Sequence, residues 1–441
     1  MSFNRRQLSE TLGYYLPNRF ILTLRNVILP LKPNQKEEFS TFLHEYCHLV
    51  QNLFTISGWT SFAYETLKYE ALIDIVHKVR KYDVPVYETL PEGPDKSKID
   101  QSNNYSDYLC DSENISEEAR IFTTPKSLRL RSTIVHDFPM VADNGGIRIS
   151  SEFLVDGVET NIRLSYSVQV ESMAKLLEDH YALGTSQSST YPYDILGLLF
   201  RDTPFGKRID FQIVMIYLSL QSFFPDIQFR NIYEVVTNKK LYELRTCDTF
   251  AEAIVDSLSY HYREGIESEI SLLERLIGRM CSLLSLYPLA SGGVNWLSKA
   301  SAGFFKSIRT DPLRFVRPLL QRRGTSDVFS VLDNNYFLTK DQSGRLSTVK
   351  PGNEEDQSGI MFVSNVFHFI DFMLFHDEDT QEYQERKCPM FDSCNLQAFK
   401  TERCKREPYH TGENKVDDTL CEYGAVAHMF FVRELPVTIR K

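Results

Sequence analysis

The sequence contains no run of eighteen or more apolar residues, so we expect no transmembrane helix. Its first twenty residues carry basic side chains but have neither an apolar core nor a small-residue cleavage site, which argues against a secretory signal. Internal repeats and sustained heptads are also lacking. We therefore expect a soluble, cytoplasmic protein without a membrane partner.

Positive charge is scarce as well. Lys and Arg total 49 against 59 Asp and Glu, so the net charge is -10. This balance argues against a dedicated nucleic-acid-binding protein. The remaining composition is that of a globular chain, with 42% hydrophobic and 24% charged residues among 441. At roughly 150 residues per domain, this length predicts two or three domains or one large domain with insertions.

A strand followed by a buried helix is the clearest local pattern near the N-terminus. Residues 20–31 are rich in apolar and β-branched side chains, which is typical of a strand. Asn34 can then cap a helix, with Glu37 in the capping-box position three residues later. The apolar spacing predicts that this helix runs from about Gln35 to Phe54 and is buried. A second helix is predicted over 60–80.

The predicted helix contains the sequence HEYCH, which matches the motif H-E-x-x-H. His44 and His48 are four residues apart, so both imidazoles lie on one helix face and can reach one metal ion. Glu45 is offset from that face, where its carboxylate can meet a water molecule on the metal instead of the metal itself. Cys47, inside the motif, is expected to pack in the core.

With this motif on a buried helix directly after a strand, the sequence resembles the zincin metallopeptidases. The resemblance extends to about residue 183. It implies an α+β, mainly helical fold with a zincin-like core and a small sheet. It also implies a catalytic zinc ion held by His44 and His48. Glu45 would be the general base that activates zinc-bound water for attack on a peptide bond.

The third zinc ligand decides the subclass. No Gly or His follows His48 at the metzincin positions, so a gluzincin-like site with a later glutamate is favoured. Glu171 is the foremost candidate, because it opens a predicted helix and is followed by the small residues Ser172 and Ala174, which permit close helix packing. The alternatives left open are Glu65, Glu70, Glu178, Asp179 and His180.

Two further features of a zincin site have candidates in the sequence. Asp156-Gly157 between two β-like runs predicts a hairpin. Either 147–154 or 159–165 is a candidate edge strand for pairing with an extended substrate. Donors for the oxyanion are eligible by residue type alone: Tyr181, His180, Tyr260 and His261.

A cysteine cluster near the C-terminus predicts a second metal site. Four of the eight cysteines of the chain lie within 34 residues: Cys388, Cys394, Cys404 and Cys421. In a reducing compartment such a cluster indicates metal binding more than disulfides. Structural zinc is the foremost interpretation and an iron–sulfur cluster the next, with His410 or His428 as substitutes for one thiolate.

The predicted organisation has three parts. Residues 1–183 form the zincin-like catalytic core, with an insertion at about 85–145 in which 91–119 is a loop. Residues 184–375 form a helical region with a linker at 340–358. Residues 376–441 form a Cys-rich, metal-binding module.

The predicted function is that of an intracellular zinc-dependent metallopeptidase, with a protein or peptide as its substrate and a regulatory protein as a further partner. The alternative is a catalytically inactive zincin-like scaffold that binds a protein or nucleic acid. A zinc hydrolase with a non-peptide substrate is a third interpretation. A metal site with an open fourth position favours catalysis, and a closed or absent site favours the scaffold.

Overall fold

A computed structural model gives the fold. The structure describes the residues in the following ranges and single positions: 13–16, 20–24, 36–79, 93–110, 128–138, 146–155, 158–162, 164–181, 195–287, 290–321, 338–340, 346–347, 354–374, 388, 391, 402, 404, 419–421, 424, 426 and 438–439. This part of the chain is mainly helical, as predicted, and carries three small sheets. Among the described helices, none has the length and apolar content needed to cross a membrane.

The helices are numbered here in chain order. Their bounds are Lys36–Leu53 (α1), Ile56–Val79 (α2), Pro94–Cys110 (α3), Tyr166–His180 (α4), Ile195–Arg201 (α5), Ile209–Ser219 (α6), Pro225–Asn238 (α7), Cys247–Leu284 (α8), Ser291–Thr310 (α9), Arg317–Leu320 (α10) and Glu354–Leu374 (α11). A short 3-10 helix, Leu241–Glu243, lies between α7 and α8.

The strands form three separate sheets. Their bounds are Gly13–Leu16 (β1), Ile21–Leu24 (β2), Leu128–Phe138 (β3), Gly146–Val155 (β4), Val158–Ile162 (β5), Leu338–Lys340 (β6), Leu346–Ser347 (β7), Thr419–Leu420 (β8) and Thr438–Ile439 (β9). The sheet orders are β1-β2-β6-β7, β3-β4-β5 and β8-β9. In the first sheet β2 pairs with β6 in parallel, and its other pairings are antiparallel.

Helix α1 confirms the prediction of a buried helix around the HEYCH motif. Its apolar residues recur at helical spacing, and Leu43, Tyr46, Cys47 and Val50 are fully buried. Helix α2 begins at Ile56, four residues before the predicted start. Only residues 54–55 separate α1, which carries the HEYCH motif, from α2. A second buried helix therefore follows α1 almost directly.

The prediction of a loop over 91–119 was wrong for residues 94–110, which form α3, and residues 111–119 lie outside the described ranges. Pro94 stands at the first helical position, where a proline loses no hydrogen bond. The helix is polar overall but buries one face, in which Tyr105 stacks on Tyr64 of α2 at a centroid distance of 4.1 Å. The Tyr108 hydroxyl donates a hydrogen bond to the Asp226 carboxylate of α7. The segment is therefore an integral part of the core.

The predicted hairpin at Asp156-Gly157 is confirmed by the pairing of β4 with β5, in which Val155 lies opposite Val158. Strand β4 also pairs with β3, so it is the central strand of its sheet. Residues 151–154 therefore have both backbone edges occupied, whereas residues 147–150 pair only with β3 among the described strands. Strand β5 is at the end of this sheet among the described strands, and it ends four residues before α4. Pairing of either segment with a substrate stays a prediction.

Described side chains on both sides of the predicted boundaries after residues 183 and 375 are buried in one cluster. One cluster of buried side chains includes Phe42, Leu218 and Val426, which come from the three predicted regions. Polar contacts cross the first boundary too, since the Ser219 hydroxyl donates to Gln169 Oε1 at 2.5 Å. The predicted linker at 340–358 contains β7 and the start of α11.

Candidate metal centre

Two packed helices, α1 and α4, build the candidate site. On α1, the rings of His44 and His48 lie one turn apart, with centroids 4.8 Å apart and planes at 85°. On α4, the Ser165 side chain caps the first turn by accepting a hydrogen bond from the Val168 N–H. This cap fixes the start of the helix, and Glu171 follows in its second turn.

The Glu171 carboxylate faces both imidazoles. Its Oε2 atom lies 3.2 Å from His44 Nε2 and 3.4 Å from His48 Nε2. Among the residues that the structure describes, these three form the one group of His, Cys, Asp and Glu side chains whose ligand atoms all lie within 4.8 Å of one another. The structure thus brings together the foremost third-ligand candidate and the two motif histidines.

The group is partly accessible to solvent. The side chains of His44, His48 and Glu171 are 16%, 14% and 15% exposed, whereas neighbouring Tyr46 and Cys47 are fully buried. A small part of each of the three side chains is therefore open to solvent.

The outer nitrogen of each imidazole is also held. His44 Nδ1 lies 3.1 Å from Glu178 Oε1, and His48 Nδ1 lies 3.0 Å from Gln51 Oε1. The Gln51 amide group in turn donates to the carbonyl of Val170 at 3.0 Å. The sequence analysis considered Glu178 only as an alternative ligand and did not identify Gln51. Gln51 is three residues after His48, and Glu178 is seven residues after Glu171. Both spacings place the two side chains on one helix face, which is the sequence signal for these contacts.

The carboxylates and imidazoles of the site shift one another's pKa values. Burial would lower the pKa of His44, but hydrogen bonds to Glu171 and Glu178 outweigh it and hold that pKa well above 6.5. The pKa of His48 is raised in the same way, against burial, mainly by the charge of Glu171. Burial would raise the pKa of Glu171, but the two imidazoles lower it far below its usual value.

Glu45 lies beside the group but is not part of it. Its charge raises the pKa of both His44 and His48. The side chain is half-buried. The role of Glu45 as the general base stays a prediction.

Four of the five alternative third ligands point elsewhere, and the fifth, Glu178, contacts the outer nitrogen of His44. Glu65 pairs with Lys68 at 3.0 Å, and Glu70 pairs with Arg279 at 2.6 Å. Asp179 pairs with its neighbour Lys175 at 2.7 Å. His180 is buried, with its Nε2 atom 3.0 Å from the carbonyl of Leu320. None of these four acidic or imidazole side chains belongs to the group around Glu171.

The oxyanion donor is not identified among the candidates. His180 is engaged with Leu320, and the Tyr181 ring packs edge-on against Phe39 at 5.8 Å. The side chains of Tyr260 and His261 lie outside the described residues.

Three of the four clustered cysteines are described. Cys388 and Cys404 are buried, and the Cys388 N–H donates to the Cys404 carbonyl at 2.6 Å. The Gly424 N–H donates to Cys421 Sγ at 3.2 Å. The sulfur atoms of the three described cysteines do not all lie within 4.8 Å of one another.

The fourth predicted thiol ligand, Cys394, lies outside the described residues, as do the substitutes His410 and His428. Zinc or an iron–sulfur cluster at this end of the chain therefore stays a prediction.

Comparison of the chain with protein-family models, with curated proteins and with solved structures finds no match.

Proposed function

We propose that this protein is a zinc-dependent hydrolase of the zincin type that cleaves peptide bonds. The observation that carries the proposal is the spacing of His44 Nε2, His48 Nε2 and Glu171 Oε2. Zinc with tetrahedral bonds of about 2.0–2.1 Å keeps its ligand atoms ~3.3 Å apart. The two distances to Glu171 Oε2 are 3.2 and 3.4 Å.

The donor set suits zinc in its chemistry too. Two imidazole nitrogens and one carboxylate are the ligands of many catalytic zinc sites. The charge around the two rings is negative, because Glu45, Glu171 and Glu178 all raise the pKa of His44. Glu45 and Glu171 also raise the pKa of His48. A divalent cation offsets this charge. Without a metal, the same carboxylates favour the protonated imidazoles, and the pKa of both rings is therefore raised.

A bound zinc ion would supply Lewis acidity, which lowers the pKa of a water molecule and polarises the substrate carbonyl. The chain supplies the rest. His44, His48 and Glu171 hold the ion from two packed helices. Glu45 accepts the proton of the attacking water and passes it to the leaving amine. Among the described residues the group has three members, the number of protein ligands in catalytic zinc sites, and this supports a catalytic site over an inactive scaffold.

A peptide substrate is favoured by the resemblance to zincins and by one feature of the fold. Edge strand β5 (Val158–Ile162) ends four residues before α4, the helix that carries Glu171. An extended polypeptide can pair with such an edge. A cytoplasmic location is part of the proposal, and the six cysteines whose side chains are described form no disulfide with one another.

The test combines metal content with cleavage. The probe is a mixture of quenched fluorescent peptides, incubated with the full chain, with Glu45→Gln and with Glu38→Gln, a control on the same helix. We expect one zinc ion at this site in all three proteins. Hydrolysis should fall by about 10²–10⁴-fold in Glu45→Gln alone. Absence of zinc from the unmodified protein, or equal hydrolysis by Glu45→Gln, would overturn the proposal.

A further inference from the structure

Two connections between helices meet where α6 and α8 begin. Residues 202–208 join α5 to α6, and residues 239–246 join α7 to α8. The Arg208 guanidinium donates to the carbonyls of Leu244 and Arg245, each at 3.2 Å. The two connections are therefore held together as one surface, which we call the α6–α8 surface.

The backbone of the second connection is ordered. The Lys239 N–H donates to the Val235 carbonyl at 3.0 Å, and Lys240 follows in the left-handed conformation that commonly ends a helix. In the 3-10 turn that comes next, the Tyr242 ring packs against Phe205 of the first connection at a centroid distance of 6.2 Å. The charged side chains here start from a fixed backbone, so binding a partner has little backbone to order.

Unpaired positive charge is concentrated on this surface. Six Lys and Arg side chains in the described part of the chain have no charged or hydrogen-bonded partner there, and all six are exposed: Lys207, Lys239, Lys240, Arg245, Arg275 and Lys306. The first four belong to the α6–α8 surface. Elsewhere exposed cations are paired, as Arg230 is with Glu234 at 2.8 Å.

The carboxylates nearby do not cancel this charge. Those in the first turns of α6 and α8 are paired within the protein: Asp210 with Arg208 at 3.0 Å, and Asp248 with Arg317 at 2.7 Å. Asp202 and Glu243 are exposed and have no partner among the described residues. The surface thus carries four unpaired cations and two unpaired carboxylates, on a chain whose net charge is -10. A local excess of positive charge attracts a negatively charged partner.

An acidic polypeptide fits this surface better than a nucleic acid does. Asp202 and Glu243 lie on the same two connections as the cations, and a polypeptide can place neutral or basic residues opposite them. A nucleic-acid backbone carries a charge at every phosphate. It would meet both carboxylates and the negative charge of the rest of the chain.

We propose that residues 202–208 and 239–246 form a docking surface for an acidic segment of a partner protein. The four unpaired cations bind Asp and Glu side chains of that segment. Such binding needs neither zinc nor hydrolysis, so the docking surface goes beyond the proposed function and does not depend on it.

The test uses the full chain and a fluorescent peptide rich in Asp and Glu. The same peptide with Asn and Gln in their place, and a single-stranded DNA of equal net charge, are the comparison probes. The charge-reversed variant is Lys239→Glu/Lys240→Glu. Its matched control is Arg275→Glu/Lys306→Glu, which changes the net charge equally at the two unpaired cations outside the surface.

Fluorescence anisotropy gives the affinities. We expect the acidic peptide to bind and its amide version not to bind. Lys239→Glu/Lys240→Glu should weaken binding by about 10-fold or more, because two attractions become repulsions, and the control by less than about 2-fold. Raising the ionic strength from about 50 to 200 mM should weaken binding to the unmodified protein, since exposed charges are screened.

Equal losses in the two variants would show that net charge alone is responsible, and would overturn the proposal. Binding that does not depend on the acidic side chains would also overturn it, as would tighter binding of the DNA with the same loss in Lys239→Glu/Lys240→Glu. If thermal unfolding shows that this variant does not fold, Lys207→Glu/Arg245→Glu replaces it on the same surface. Mass spectrometry of the peptide after each titration separates binding from cleavage.

Discussion

Glu171 and Glu178 lie seven residues apart on α4, and their carboxylates contact opposite nitrogens of one ring, that of His44. The distances are 3.2 Å to Nε2 and 3.1 Å to Nδ1. Two helical turns bring both carboxylates to the same face. Helix α4 thus supplies Glu171, a proposed metal ligand, and Glu178, which contacts the other nitrogen of the His44 ring.

The position of Glu171 predicts that it is the third ligand. Replacing it with Gln should reduce zinc affinity by more than the ~10- to 100-fold typical of residues outside the ligand set, because an anionic ligand is lost. Glu70→Gln is the matched control. Glu70 is buried on α2 and pairs with Arg279 and Lys98, so its loss should lower the free energy of unfolding and leave zinc binding unchanged. Zinc loss in Glu70→Gln instead would reject the assignment.

The buried carboxyl of Glu269 predicts a pH-dependent stability. Burial raises its pKa to about 7, while its Oε1 atom accepts hydrogen bonds from Ser222 and the Phe223 N–H. In the unfolded chain the pKa returns to about 4.3. Between these values the folded protein keeps a proton that the unfolded chain has lost. The free energy of unfolding should therefore fall as pH rises from the lower pKa to the higher one, and stay low above it.

Glu269→Gln removes this dependence. At pH 8 the variant should be more stable than the unmodified protein, by at most about 4 kcal/mol, and at pH 4 the difference should be close to zero. Glu267→Gln on the same helix is the control with the opposite sign, because bonds from Arg309 lower the pKa of Glu267. Denaturant titrations from pH 4 to 8 measure both. A pH dependence that survives in Glu269→Gln would contradict the assignment.

The close approach of α1 and α2 predicts an effect of a single methyl group. A Cβ at Gly58 would lie 2.2 Å from the backbone oxygen of Asn52, and backbone cannot move aside at low cost. Gly58→Ala should therefore lower the free energy of unfolding by about 1–3 kcal/mol.

The matched control is Gly265→Ala in α8, where nothing lies within 4 Å of the added carbon. There the same change should raise the free energy of unfolding by about 0.5–1 kcal/mol, because alanine favours helix. Equal effects at the two positions would show that the separation of α1 and α2 tolerates the methyl group.

The contacts of helix α3 predict that residues 94–110 stabilise the core. Removing the hydroxyl in Tyr108→Phe leaves the buried Asp226 carboxylate short of one donor, and this should cost about 1–3 kcal/mol in the free energy of unfolding. Asn104→Ala on the exposed face of α3 should cost less than about 0.5 kcal/mol. If Tyr108→Phe behaves like Asn104→Ala in urea unfolding, the contact does not anchor the segment.

Features that depend on local spacing could be predicted from the amino-acid sequence. The helix around His44 and His48 follows from capping and apolar periodicity, which act over a few residues, and so does the hairpin at Asp156-Gly157. Local spacing also places Glu45 beside the two histidines. The loop prediction over 91–119 failed for a related reason. The apolar face of α3 is sparse, and its burial depends on partners in α2 and α7 that local pattern does not show.

The carboxylate that faces both motif histidines could not be identified without the three-dimensional fold. His44 and Glu171 are 127 residues apart, and no local rule relates positions so distant. Six side chains were eligible by type, and the packing of α1 against α4 selects one of them, because it alone brings an oxygen within 3.4 Å of both imidazoles. The same packing creates the contact of Glu178 with His44 and the hydrogen bond from Gln51 to the Val170 carbonyl. Such contacts between helices form only when the helices lie side by side.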